Sequence, residues 1–452
     1  MRGGTHGDRG DRETFRTKQD VRSVPCVGMH TARMHALLPR QAARAFTALL
    51  AALAPVASLA AMQSAAAPAA EIAQAEPAAP RRTTTSVFVA GEGGYPFYRI
   101  PAATRLATGP RAGRILAFAE GRGTLADNGV NDIVLRTSDD GGASWSPVRT
   151  LCDIAGRSLN NPCVVEVREG PRAGRVLVMF QSYAEGCGEA CATEGFDARP
   201  DAADGMDTIC RTLIIHSDDG GDTWSAPREV TREVKRPVRA TSLASGPGIG
   251  IQLARGAHKG RVVMPFNEGP YDRWRVYAAY SDDGGDSWRI GEPAPDDARG
   301  VANEVQMFER ADGAVVLNAR QFGGAKRRKT AVSTDGGATF STLADVADLP
   351  DPSCMAGLLA LDDGTVVFTG CDSESRRALG TAWISRDGGD SWPEKVLVEP
   401  QGFAYSVPVD LGRGADGRRE VGVLYEGAGY RRIEFVRVTL PGAPPAEAAP
   451  VR

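Results

Sequence analysis

Apolar residues in this chain fall into short runs rather than helical stripes. Thr212-Leu213-Ile214-Ile215-His216, Val276-Tyr277-Ala278-Ala279-Tyr280 and Gly380-Thr381-Ala382-Trp383-Ile384 are β-rich runs of strand length. Each stops at a turn signal of one pattern, S-x-D-x-G-x-[ST]-[WF]. The pattern occurs at Ser138 to Trp145, Ser217 to Trp224, Ser281 to Trp288, Ser333 to Phe340 and Ser385 to Trp392. Asp-Gly-Gly supplies the positive φ that a tight hairpin needs, and the Ser and Asp side chains can lock the turn through backbone N–H groups. The closing Trp or Phe begins the next strand and plugs its ring beneath the turn. Further hairpins are signalled where Val315-Val316-Leu317 follows Asp312-Gly313 and where Val366-Val367-Phe368 follows Asp363-Gly364. No segment has a convincing helical period. A hairpin box recurring at intervals that shorten to roughly fifty residues predicts an all-β repeat fold, a β-propeller of small antiparallel sheets. A calcium-loop reading of the boxes fails, because the D-x-D-x-D-G loop and its bidentate Glu are missing.

The chain has 452 residues, with 53 glycines, modest aromatic content and a net charge of −3. Without a basic stripe, the sequence gives no sign of a nucleic-acid partner. Of five histidines, His6, His30 and His35 precede the repeats, and His216 and His258 read as ordinary strand or loop residues. A Ser-His-Asp hydrolase or a His-rich metal site is therefore unsupported. Residues 1–82 read as a leader. Arg40 and Arg44 precede an apolar h-region at 46–62, with cleavage expected after Ala61 or Ala75, which predicts a secreted or periplasmic protein. A featureless Ala/Pro tail is the alternative, and Met29 or Met34 are further candidate starts. The h-region is too short and Ala-rich for a membrane span. The folded region is expected at 84–440, and 441–452 as a loose Pro/Ala-rich tail.

Seven cysteines follow the leader. Cys354 and Cys371 lie symmetrically about the Asp362-Asp363-Gly364 turn, so they can face each other across a hairpin; the odd number leaves at least one thiol unpaired. No C-x-x-C pair occurs, which argues against zinc. The irregular insertion at 185–209, holding two cysteines and several acids, is expected as a surface loop roofing the central face. Gly246-Pro247-Gly248-Ile249-Gly250 lacks a phosphate-loop Lys and reads as a loop.

The chemistry lies outside the boxes. In order come Tyr98-Arg99-Ile100-Pro101, Glu120-Gly121-Arg122, Asp127, Asn303-Glu304-Val305-Gln306, Asn318-Ala319-Arg320, Arg376-Arg377, Tyr405-Ser406 and Tyr425-Glu426. This series, together with the boxes, resembles the exo-α-sialidases (neuraminidases) over about Val87 to Val438. The resemblance implies a six-bladed β-propeller of four-stranded antiparallel blades. It implies that Arg99, Arg320 and a third arginine at Arg377 or Arg376, with Arg377 preferred from its distance to the fifth box, clamp a substrate carboxylate. By the same resemblance Glu426 holds Arg99, Asp127 is the acid/base, Tyr405 the nucleophile and Glu304 its base. Arg122 and Glu120 would line the pocket near the sugar's O4. Neither metal nor organic cofactor is implied; the partners implied are sialylated glycans, and a monomer is expected.

Physical chemistry agrees with this set. Guanidinium groups are permanently charged and grip carboxylates in a planar fork. A carboxylate nucleophile would meet the carboxylate on the anomeric carbon of sialic acid with charge repulsion, which a neutral phenol avoids; sialidases depart from the two-carboxylate scheme in this way. A phenol with a pKa near 10 then needs a neighbouring base. Rival readings are a trans-sialidase, a hydrolase of a related nonulosonic acid, and a non-catalytic glycan-binding propeller. The last has no use for the acid, base and nucleophile.

Overall fold

The computed structural model describes residues 83–197 and 205–442; the leader, its h-region at 46–62 and most of the tail lie outside them. The described residues are almost entirely β, with one four-residue α-helix at Thr231–Val234. The apolar runs that precede the boxes form the strands Arg211–Ser217, Arg275–Ser281 and Ala378–Ser385.

Strands pair in sequence order, as short hairpin links dictate. One four-stranded sheet runs Val301–Glu309, Val315–Phe322, Arg327–Ser333 and Ala344–Pro350. A five-stranded sheet is built on Leu243–Ser245, Val262–Glu268, Arg275–Ser281 and Arg289–Ile290. The other two sheets, of seven and nine strands, are larger because neighbouring meanders fuse. In the seven-stranded sheet the 20-residue strand Glu394–Arg413 is shared: its first half pairs with Ala378–Ser385 and its second half with Arg419–Gly427. In the nine-stranded sheet a single parallel bridge, Asn131 to Ser158, joins two meanders. The first described strand, Thr83–Val89, pairs antiparallel with the last, Arg432–Thr439.

Five apolar cores lie between successive sheet segments, and the boxes fasten those segments together. In each box the Ser hydroxyl donates to the Asp carboxylate and accepts from the second Gly N–H; in the first, Ser138 Oγ to Asp140 Oδ1 is 2.7 Å and Gly142 N to Ser138 Oγ is 2.8 Å. The same geometry recurs at Ser217, Ser281, Ser333 and Ser385. The second glycine is required twice over. Gly142 has φ +88°, and a Cβ there would stand 2.2 Å from the Phe435 ring of the last strand. Its counterpart Gly221 abuts Leu116, and Gly285 abuts Leu177, so each box is keyed to the preceding segment. Charge follows the same plan: Arg114 pairs with Asp139 of the adjacent box and Asp222 of the next, and Arg175 repeats this with Asp218 and Asp286. The box rings pack as expected, Trp224 edge-on to Phe118 at 5.7 Å and Trp145 to Phe435 at 5.5 Å.

Candidate functional site

The strands that end in boxes begin at the opposite end of their sheets, where the sequence-predicted residues gather. Three of these residues sit at interruptions of the ladder. Pairing of Phe97–Arg105 with its neighbour skips between Arg99 and Ala102, that of Val301–Glu309 between Asn303 and Val305, and that of Glu394–Arg413 between Phe403 and Ser406. Arg99, Glu304 and Tyr405 are therefore aimed by β-bulges, which release a side chain from strict alternation. At the first, Pro101 cannot donate to the ladder and Ile100 takes φ +59°. Its freed N–H reaches Glu426 Oε1 at 2.8 Å.

Glu426, 1% exposed, also accepts from Arg99 Nε and Nη2, both at 3.0 Å. Burial alone would discharge Arg99, but the charges of Glu426, Tyr405 and Asp127 override it and hold the guanidinium firmly protonated. Arg320 Nη1 donates to Glu304 Oε2 at 2.6 Å and to the Tyr405 hydroxyl at 3.1 Å, and the Tyr405 hydroxyl donates to Glu304 Oε1. Burial, then the negative charge of Glu304, push the Tyr405 phenol well above its ordinary value, against the lowering fields of Arg320, Arg377 and Arg99. The Arg99 and Arg377 guanidinium carbons lie 5.2 and 5.3 Å from the Tyr405 ring centre.

The two neighbouring arginines differ in their contacts. Arg377 donates to the Tyr430 hydroxyl at 3.0 Å and to the Ser353 carbonyl at 2.9 Å, whereas Arg376 is exposed. Asp127 sits on the loop after Ile115–Arg122 with a side chain 79% exposed, held by Arg122 Nη1 at 2.8 Å. Glu120, expected on the pocket wall, is not on it. It lies fully buried beneath Arg122, accepting from Arg122 Nε at 2.7 Å and from the Asn161 N–H at 2.7 Å. Burial raises its pKa, and the Arg122 charge opposes that rise. Its place is to fix Arg122, which does reach the cavity.

These groups open on a cavity of about 440 Å³ that Arg99, Arg122, Asp127, Glu304, Arg320 and Tyr405 line together. The sequence reading missed its opposite wall. That wall includes Asn267, Trp274 and Glu189, the last from the 185–209 insertion, whose described part does flank the cavity. A Cys187–Cys191 disulfide closes the turn that carries Glu189. An acid set between two close cysteines, inside an insertion that breaks the repeat, was the available signal. Cys354 and Cys371 do come together, as buried free thiols. Among the described residues no group of His, Cys, Asp and Glu has metal-binding geometry. No described helix is long and apolar enough to cross a membrane.

Fold and site together define an all-β repeat protein with a cavity lined by arginines and carboxylates. The chain belongs to the BNR repeat-like domain family, whose model matches residues 113–416. It is 34% identical to a sialidase of Micromonospora viridifaciens over 79% of this chain and 54% of that protein, and 29% identical to a sialidase of Bacteroides fragilis over 65% and 54%. The chain thus spans about half the length of these relatives. Among solved structures, the Hadza microbial sialidase Hz136 superposes with a TM-score of 0.67 at 25% identity, covering 79% of this chain and 68% of that one.

Proposed function

We propose that this protein is an exo-α-sialidase that removes terminal α-linked sialic acid from glycans with retention of configuration. One observation carries the reading: a phenol hydroxyl shared between a carboxylate and an arginine, with two more arginines beside its ring. Arg99, Arg320 and Arg377 clamp the substrate carboxylate. Glu304 takes the Tyr405 proton as the phenol oxygen attacks the anomeric carbon, and Asp127 protonates the leaving oxygen. The glycosyl–tyrosine bond is then hydrolysed by water that Asp127 activates. The exposure of Asp127 suits a group working where the leaving glycan departs into solvent.

The proposed scaffold is a closed six-bladed propeller at 84–440. Its support is that the strand pairings divide into six antiparallel runs of four, the last completed by the chain's first described strand. The leader at 1–82 supports secretion or export to a periplasm, and the protein is proposed to act as a monomer. The test is release of free sialic acid from a panel of linked sialosides, with the product anomer read by NMR. Tyr405→Phe should cut kcat by about a thousandfold or more while the protein stays folded. A folded wild type that releases no sialic acid, or a fully active Tyr405→Phe, overturns the proposal.

A further inference from the structure

Two of the clamp arginines stand on different sheets. Arg320 lies near the end of the strand Val315–Phe322, and Arg377 on the turn between Val366–Cys371 and Ala378–Ser385. The chain crosses from the first sheet to the second at residues 351–356, between Ala344–Pro350 and Gly357–Ala360. This crossover reaches toward both arginines. Pairing of Val315–Phe322 with Arg327–Ser333 stops at Ala319. Past that point the crossover's side chains stand in for the strand. Asp351 Oδ2 accepts from the Gln321 N–H at 2.8 Å, and the Ser353 hydroxyl donates to the Gln321 carbonyl at 3.0 Å. Gln321 directly follows Arg320. On its other side the Ser353 carbonyl accepts from Arg377 Nη2 at 2.9 Å. Residues 351–353 thus span the gap between the two arginines.

Asp351 is itself locked. It is 1% exposed; its Oδ2 also accepts from Arg328 Nη1 at 3.1 Å, and its Oδ1 from the Cys354 N–H at 2.9 Å. Arg328, 1% exposed as well, donates to the Cys354 carbonyl at 2.9 Å and through Nε to Asn318 Oδ1 at 2.7 Å. Burial disfavours the Arg328 charge, and the Asp351 charge is foremost in opposing that. Apolar residues of similar volume often hold a fold as well as a buried ion pair does, so stability alone does not account for this one. A fully satisfied buried network does rigidify what it touches. Resting on the sialidase reading, we propose that Asp351, fixed by Arg328, is a positioning residue for the clamp. It sets the spacing of Arg320 and Arg377 so that both reach one carboxylate.

The test uses the 2,3-unsaturated analogue of sialic acid as a competitive inhibitor, once with its free carboxylate and once as the methyl ester. The ester keeps the rest of the sugar and removes the charge that the arginines grip. Wild type should bind the acid about a hundredfold or more tighter than the ester. Asp351→Asn should cut that preference about tenfold or more while the ester's inhibition constant stays within about twofold. Arg328→Lys, which keeps the charge but not the fork, should retain part of the preference. Ser353→Ala should cut it about threefold or more by freeing the Gln321 carbonyl. Gly142→Ala is the control for stability: it should lower Tm and keep the wild-type preference. If Asp351→Asn does not fold, Arg328→Lys and Ser353→Ala carry the same comparison. Folded variants that keep the wild-type preference, or a Gly142→Ala protein that loses as much of it as they do, overturn this inference alone. A wild type that binds acid and ester equally removes the clamp, and the sialidase reading with it.

Discussion

Replacing Glu426 with Gln tests how the first arginine is held. The carboxylate accepts three hydrogen bonds: Arg99 Nε and the Ile100 N–H on one oxygen, and Arg99 Nη2 on the other. The amide keeps the first oxygen but sets an NH₂ against Nη2, and it removes the charge that offsets a nearly buried guanidinium. Breaking a buried pair from one side costs about 3–5 kcal/mol. Spread over a domain of this size, that should lower Tm by about 4–7 °C in a thermal melt. Arg99 should also lose its aim, with kcat/KM for a sialoside falling about a hundredfold, equivalent to about 2.7 kcal/mol. The decisive measurement is a double-mutant cycle with Arg99→Ala. If Glu426 acts only through Arg99, adding Glu426→Gln to Arg99→Ala should change kcat/KM by less than twofold, giving a coupling energy of about 2 kcal/mol or more. Independent, additive losses would refute the reasoning, and so would a Glu426→Gln protein with wild-type Tm and turnover.

Three other perturbations probe the rest of the molecule. Asp127→Asn should lower kcat/KM about 10²–10⁴-fold on sialosides with poor leaving groups and far less on activated aryl sialosides, which need no proton; equal losses in kcat/KM on both would remove Asp127 from the acid role. Gly142→Ala should cost about 2 kcal/mol or more, because it adds a Cβ at positive φ against Phe435; an unchanged denaturation midpoint would contradict the keyed-box packing. In the second box, burial would raise the Asp219 carboxyl, but hydrogen bonds from Thr223 and Ser217 outweigh it and hold it at about 2 against an ordinary 3.8. A depressed acid stabilises the fold above its unfolded pKa and loses that contribution as pH falls through its folded one. The Tm gap between wild type and Asp219→Asn should therefore be widest near pH 6 and close between pH 4 and 2, and a constant gap across that range would dismiss the linkage.

Elements with a strong local signal were legible in the sequence. The boxes declare themselves because Asp-Gly-Gly can do little else than turn, and the strands before them because β-branched runs stop there. The site residues were recognisable by motif, but their geometry was not. Nothing local in Ala404-Tyr405-Ser406 says that pairing lapses there and swings Tyr405 toward Glu304, about a hundred residues away. Glu120 was misplaced because the strand Ile115–Arg122 is buried along both faces, so alternation gives no sense of inside and outside. The fusion of sheets through Glu394–Arg413 was likewise hidden, since one strand can change partners midway without any break in composition. Glu189 escaped because irregular insertions carry no periodicity to read.

The pairing of Thr83–Val89 with Arg432–Thr439 has a consequence for biogenesis. Thr83–Val89 must wait, unpartnered, while the other described strands are synthesised, and only Arg432–Thr439 can seat it. Partial chains emerging from a ribosome or translocon would expose that orphan edge, so maturation should be abrupt and late, and truncation of a few C-terminal strand residues should harm the whole molecule rather than one corner of it.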